Sequence, residues 1–272
     1  SLTGTYCFMF TSSAYALAFL FTVVSVTVFG EKGGGSKWIA CPLLLTAALG
    51  IYQSYIAAAA GLFVLYVFKK CIDGENSFKK LALNAVSYLA VLLLAVGAYF
   101  AVTLLVLKLT GSEFNFYVRQ NVYTDADTVG IIGRIRMAYD FFTYYFTYRE
   151  FALITGEASR YAHIVLMTVC AAGLAAEAAG LVREKKAAAA AGMLCAAVIL
   201  PLAVDCLFLV FSKESVHTLA LYSFVCVYVL AAMLTEKALS GGSRIKMLGR
   251  DAVYICLIIA IVSNVYFANK VY

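Results

Sequence analysis

The chain has 272 residues, of which 64% are hydrophobic and 13% charged, and its mean hydropathy is +0.90. Soluble domains carry about 45–50% apolar and about 25% charged residues, so this balance excludes a water-soluble enzyme fold and points to a membrane-embedded chain. The net charge of +6 is no nucleic-acid footprint, because the basic residues gather at the ends of apolar runs instead of forming one basic face.

Seven apolar runs follow in chain order, at residues 7–29, 39–68, 81–107, 163–181, 187–211, 218–235 and 252–267. A helix crosses the hydrocarbon layer with about 20 residues, so the runs predict an all-α, polytopic transmembrane bundle of about seven or eight segments, treated as a single domain over 1–272. The chain opens at Ser1 without a basic stretch before its first run, which argues against a signal peptide, and it reads as an excerpt of a longer protein.

Basic residues cluster in three short loops: Lys69, Lys70, Lys79 and Lys80; Arg183, Lys185 and Lys186; and Lys237, Arg244, Lys246 and Arg250. The positive-inside rule makes these loops cytoplasmic. The short loop 212–217, with only Lys213, then faces out, as does the long segment 108–162, whose length frees it from the charge rule.

The second run is too long for one crossing and too short for two. Its centre, Gly50-Ile51-Tyr52-Gln53-Ser54, places polar groups where lipid offers no water. A hairpin of two short helices turning there keeps both flanks cytoplasmic. A single tilted helix, with Tyr52 and Gln53 bonded to a neighbouring helix, would instead put Lys32 and Lys37 outside. The hairpin fits a helix broken where a cavity or substrate lies, which makes Tyr52 and Gln53 candidate substrate-binding residues.

The segment 108–162 mixes aromatic residues with charge. Its first part carries Arg119, Asp125 and Asp127, the two carboxylates spaced as in a DxD pair. Such a pair can hold a divalent metal with a nucleotide sugar, but that donor chemistry is cytoplasmic, so no metal is expected. In the second part Ile131, Ile135, Ala138, Phe142 and Tyr145 recur at helical spacing opposite Arg136, Asp140, Thr143 and Thr147. This predicts an amphipathic helix at the outer membrane surface. Arginine meets phosphate through its planar fork and a carboxylate can deprotonate a hydroxyl, so Asp125 and Asp127 are candidate catalytic residues and Arg119, Arg134 and Arg136 candidate phosphate contacts. A solvated loop kept wet by its charges is the competing reading.

Within the later runs Asp205 stands out, four residues after Pro201 and deep in an apolar stretch. An ionisable group there is costly and faces a cavity or a partner, and the proline should kink its helix. Asp205 is the third candidate catalytic residue. His217 lies at the outer boundary as a candidate substrate contact; His163 opens its run from the same side and reads as interfacial. The eight cysteines show no CxxC and no ligand spacing, so neither a disulfide framework nor a zinc site is expected, and no cofactor motif is present.

The run LTAALGIYQSYIAAAAGLFVLYVFKK, centred on Gly50 to Tyr55, resembles the bacterial glucosyl transferase family II, and the closing SNVYFANKVY is similar to that family's last spans. The resemblance implies a GT-C-like transferase of the bacterial cytoplasmic membrane. It would move glucose from a polyprenyl-phosphate carrier to an O-antigen or other surface glycan on the outer face, with no cofactor. It also implies an essential acidic residue in a first external loop, which would precede Ser1. Two other readings stay open: a lipid-linked-sugar flippase or transporter, and an O-antigen polymerase or ligase.

Overall fold

The structure is a computed structural model that describes residues 12–31, 34–113, 130–147, 149–210, 222–239, 248, 250–260 and 262. Among these residues all regular structure is helical: α1 (Ser12–Glu31), α2 (Lys37–Ile51), α3 (Tyr55–Ile72), α4 (Phe78–Thr110), α5 (Ile131–Thr147), α6 (Arg149–Arg183), α7 (Ala187–Val204), a 3-10 turn (Cys206–Leu209) and α8 (Val225–Leu239). Residues 250–260 are helical as well. Among the described residues five helices, within α1, α3, α4, α6 and α7, are long and apolar enough to cross a membrane.

The second apolar run is broken as the hairpin reading requires. α2 stops at Ile51, Tyr52 turns extended at φ −157° and ψ 118°, and α3 starts at Tyr55. The new helix is nucleated by Tyr55 N–H donating to Tyr52 O, Ile56 N–H to Gln53 O and Ala57 N–H to Ser54 O. At 15 residues α2 is about 22 Å long, shorter than α3, which is long and apolar enough to cross a membrane.

Side-chain bonds fix the directions of the first helices. Ser25 Oγ donates to Cys41 O at 2.9 Å and Lys37 Nζ to Phe29 O at 3.4 Å, so α2 runs back antiparallel along α1. Tyr55 OH donates to Tyr15 O at 2.7 Å, while Lys69 reaches Glu31 at 3.1 Å, so α3 runs parallel to α1. Thr46 Oγ1 donates to Pro42 O within α2 and to Ala95 O across on α4.

α3 is the central helix. More than half of α3 is buried, whereas α4 is mostly exposed, which marks α4 as the edge that meets lipid. One side of α3 presents Ala59 and Phe63 to Val26, Phe29, Leu45, Tyr88 and Val91 from α1, α2 and α4. Its other side carries Leu65, Phe68 and Cys71 into a core cluster with Met193 and Leu200 of α7 and Leu230 of α8. Small residues permit this crowding: a Cβ on Gly61 would lie 2.7 Å from Cys226 Sγ, and one on Gly192 2.9 Å from Leu81 Cδ1.

The first two basic loops meet at one end. Asn76 bridges them, donating from Nδ2 to Lys185 O at 3.5 Å and accepting from Ala188 N–H at 3.2 Å. Lys185 takes the left-handed conformation at φ 60°, and Lys186 N–H donates to Leu181 O, closing α6. At its far end α4 is closed by Gly111 at φ 64°, whose N–H donates to Leu107 O. With 33 residues α4 is about 50 Å long, and Leu104, Leu105, Val106 and Leu109 in its last third are all exposed.

α5 lies along the half of the bundle away from the basic loops. Ala138 is buried and Phe142 and Phe146 join the core formed with α6, α7 and α8, while Arg136, Asp140, Thr143 and Thr147 are exposed.

Candidate functional site

The end opposite these basic loops is built from six separate stretches: the start of α1, the turn between α2 and α3, Tyr99 on α4, the start of α5, the break after α7, and residues 222–224.

The break after α7 follows from its proline. Pro201 has no N–H, but its carbonyl still accepts from Asp205 N–H at 3.1 Å; Asp205 then leaves helical geometry at φ −114°, ψ 21°. A 3-10 turn over Cys206–Leu209 follows, with Phe208 N–H donating to Asp205 O. Asp205 was expected inside a kinked helix; it sits one residue past the helix end. It is only 3% exposed, and its Oδ2 has no hydrogen-bond partner among the described residues. A buried carboxyl oxygen left in this state costs about 1–3 kcal/mol or more, so it calls for a partner.

The turn is held from three sides. Leu207 packs on Ala57 with Ile56 and Cys206 around it, which joins the break to the tip of the α2–α3 hairpin. Ser223 Oγ donates to Val204 O at 2.7 Å, fixing the residue before Asp205. On the α5 side Phe141 and Phe208 rings lie 5.0 Å apart, and Arg134 Nη1 donates to Leu209 O at 3.1 Å.

At the hairpin tip the exposed Gln53 donates from Nε2 to Tyr99 OH at 2.8 Å. Tyr52 stands beside Tyr15 and Tyr55, with ring centroids at 5.3 and 6.2 Å, and Tyr55 stacks on Tyr222 at 5.5 Å.

Of the residues singled out in the sequence, the structure therefore gathers Tyr52, Gln53, Arg134 and Asp205 at one end. Arg136 is apart from them, exposed, and 3.6 Å from Asp140. Arg119, Asp125, Asp127 and His217 lie outside the described residues. Among the described residues no group of three His, Cys, Asp or Glu side chains is placed to hold a metal ion.

Sequence reasoning missed two groups. Tyr15, Tyr55, Tyr99 and Tyr222 complete the tip, and only Tyr55, three residues from Tyr52, lay within a stretch already singled out. His163, read as interfacial, is 5% exposed; its Nε2 and Tyr228 OH share a hydrogen bond of 2.7 Å. Tyr228 is also hydrogen-bonded to Tyr145 of α5, and Phe146 closes over the histidine edge-on at 5.6 Å. The physical reason is that α6 begins at Arg149, well before His163, and α5 covers that part of it.

Compared with known protein families, residues 2–230 match the family described as glucosyl transferase GtrII. The chain belongs to this family. Membership agrees with the likeness read around Tyr52-Gln53 and supports glucosyl transfer, rather than transport alone, as the activity. Searches of curated proteins and of solved structures gave no match. As a family member with several membrane-crossing helices, the GtrII chain is a multi-pass membrane glycosyltransferase, acting between a sugar donor and an acceptor at a bilayer.

Proposed function

We infer that this GtrII chain moves a glucosyl residue from a polyprenyl-phosphate carrier to a hydroxyl of a surface glycan, at the end of the bundle opposite its basic loops. The observation that carries the inference is Asp205, a buried carboxyl with Oδ2 unpartnered among the described residues, at a helix break shared with the hairpin tip and Arg134.

By the positive-inside rule, the end with Lys69, Lys70, Lys79, Lys80, Arg183, Lys185 and Lys186 faces the cytoplasm of the inner membrane, and the Asp205 end faces out. Carrier lipids present their sugars at such a surface. In the reaction the bond between the anomeric carbon and the carrier phosphate oxygen breaks, and a bond from the acceptor oxygen to that carbon forms. Asp205 accepts the proton of the acceptor hydroxyl. The electron pair leaves with the phosphate, whose charge Arg134 stabilises from the start of α5. Arg119, Asp125, Asp127 and His217 are proposed to complete the same outward surface.

General-base catalysis contributes about 10²–10⁴-fold, so Asp205→Asn should lower transfer by roughly 100-fold or more. The test is mass analysis of the surface glycan in cells carrying Asp205→Asn, with the membrane level of the variant measured in parallel. Loss of the added hexose at a normal protein level is expected; wild-type glucosylation would remove Asp205 from the reaction.

A further inference from the structure

Tyrosines are common at membrane boundaries, where each ring sits among lipid headgroups by itself. The group at the hairpin tip is built differently. Tyr15 comes from α1, Tyr52 and Tyr55 from the hairpin, and Tyr222 from the residues leading into α8, yet their rings touch in sequence. Centroids lie 5.3 Å apart for Tyr15 and Tyr52, 6.2 Å for Tyr52 and Tyr55, and 5.5 Å for Tyr55 and Tyr222, the last pair stacked at 26°. Phe19 adds two more contacts, at 6.2 Å from Tyr55 and 6.4 Å from Tyr222.

The members differ in exposure in an orderly way. Tyr55 is 1% exposed, and its hydroxyl is spent on Tyr15 O, so it forms a fixed floor. Tyr15, Tyr52 and Tyr222 are half-buried around it, and Gln53 is exposed beside them. The Gln53 nitrogen donates to Tyr99 OH, which orients the carboxamide; its oxygen is an acceptor. The result is an aromatic surface rimmed by hydroxyl groups and one amide.

A hexose has the complementary chemistry. One face of the ring is a patch of C–H groups that packs on aromatic rings, and its edge is a circle of hydroxyls that bond to phenol and amide groups. A polyprenyl chain has no use for polar rim groups, and a phosphate alone has none for ring faces. The floor continues directly to the break after α7 through the packing of Ala57 on Leu207, two residues from Asp205.

We propose that Tyr15, Tyr52 and Tyr222, on the floor of Tyr55 and with Gln53 at the rim, form a hexose-binding platform that holds the glucosyl group beside Asp205. The proposal rests on the transfer reading above and assigns the residues that hold the sugar. Tyr52 and Tyr222 act through their ring faces, so a phenylalanine serves nearly as well as the native residue and an alanine does not.

The test is saturation-transfer NMR on the whole chain in lipid nanodiscs, with methyl α- and β-D-glucopyranoside as probes and farnesyl phosphate as the lipid-phosphate control. Saturation should reach the glucoside ring protons in the wild type, fall about tenfold in Tyr52→Ala and Tyr222→Ala, and persist in Tyr52→Phe. Should an alanine variant fail to fold, Tyr52→Leu keeps apolar bulk without a ring and is expected to lose the signal likewise. The platform is overturned if the wild type transfers no saturation to either glucoside, or if the alanine and leucine variants match it. Changes confined to farnesyl phosphate would make the tip a lipid groove and also overturn it. Asp205→Asn separates the two readings: it should keep glucoside saturation while losing transfer. Transfer retained in that variant counts against the catalytic assignment alone.

Discussion

Gly61 of α3 lies against both α7 and α8, and Gly61→Ala perturbs that packing directly. The added Cβ would lie 2.7 Å from Cys226 Sγ and 2.9 Å from Val204 Cγ1, both closer than real methyl contacts. Neither neighbour has space to retreat, since Cys226 is 0% and Val204 1% exposed. Val204 also carries the carbonyl that Ser223 holds, and it precedes Asp205, so the displacement passes into the break. Overpacking of this kind costs about 1–3 kcal/mol, or a fall in Tm of roughly 2–10 °C. Thermal unfolding in detergent measures it, with Gly50→Ala and Gly97→Ala as controls: both glycines are helical, a Cβ on either meets nothing within 4 Å, and neither variant should lose stability. Cys226→Ala in the same chain removes the nearest atom and should return about 1 kcal/mol as coupling in a double-mutant cycle. Gly61→Ala as stable as Gly97→Ala, or no coupling to Cys226→Ala, would refute the close approach of α3, α7 and α8.

Three smaller effects follow from named contacts. The buried bond between His163 and Tyr228 should appear as a coupling of about 1 kcal/mol in a cycle of His163→Phe and Tyr228→Phe, read from thermal unfolding; additive losses would deny the contact. Thr46→Val keeps shape but removes the hydroxyl tying α2 to Ala95 O on α4, and should cost about 1 kcal/mol in the same assay. Glu31→Gln should change stability by less than about 0.5 kcal/mol, because both partners of its ion pair with Lys69 are half exposed; a larger loss would mean the pair is drier than its exposure indicates.

The helical class and the broken second run were legible because lipid imposes simple rules. An apolar run of 30 residues interrupted by Gly50 and Tyr52-Gln53-Ser54 has few ways to satisfy its polar groups, and the turn found there is one of them. The burial of Asp205 was legible for the same reason, and Pro201 pointed to the distortion beside it. The tyrosine platform was not, because residues 15, 52 and 222 share no periodicity and meet only through the antiparallel return of α2 and the docking of α3 on α7 and α8. His163 misled for a related reason: a histidine at the start of an apolar run looks interfacial until the helix is seen to begin 14 residues earlier, at Arg149, with α5 laid over it. Arg134 and Arg136 differ in surroundings although two apart, since successive helix positions point to different sides; one reaches Leu209 O and the other solvent.

Outward placement of the transfer site is tested most directly by labelling intact cells with a membrane-impermeant maleimide, each variant compared with its parent chain. Gln53→Cys, at the exposed hairpin tip, should react from outside, and Lys79→Cys, at the basic end, only after the membrane is opened. Reaction of Lys79→Cys in intact cells, with Gln53→Cys silent until permeabilisation, would contradict the orientation and the carrier-lipid donor with it.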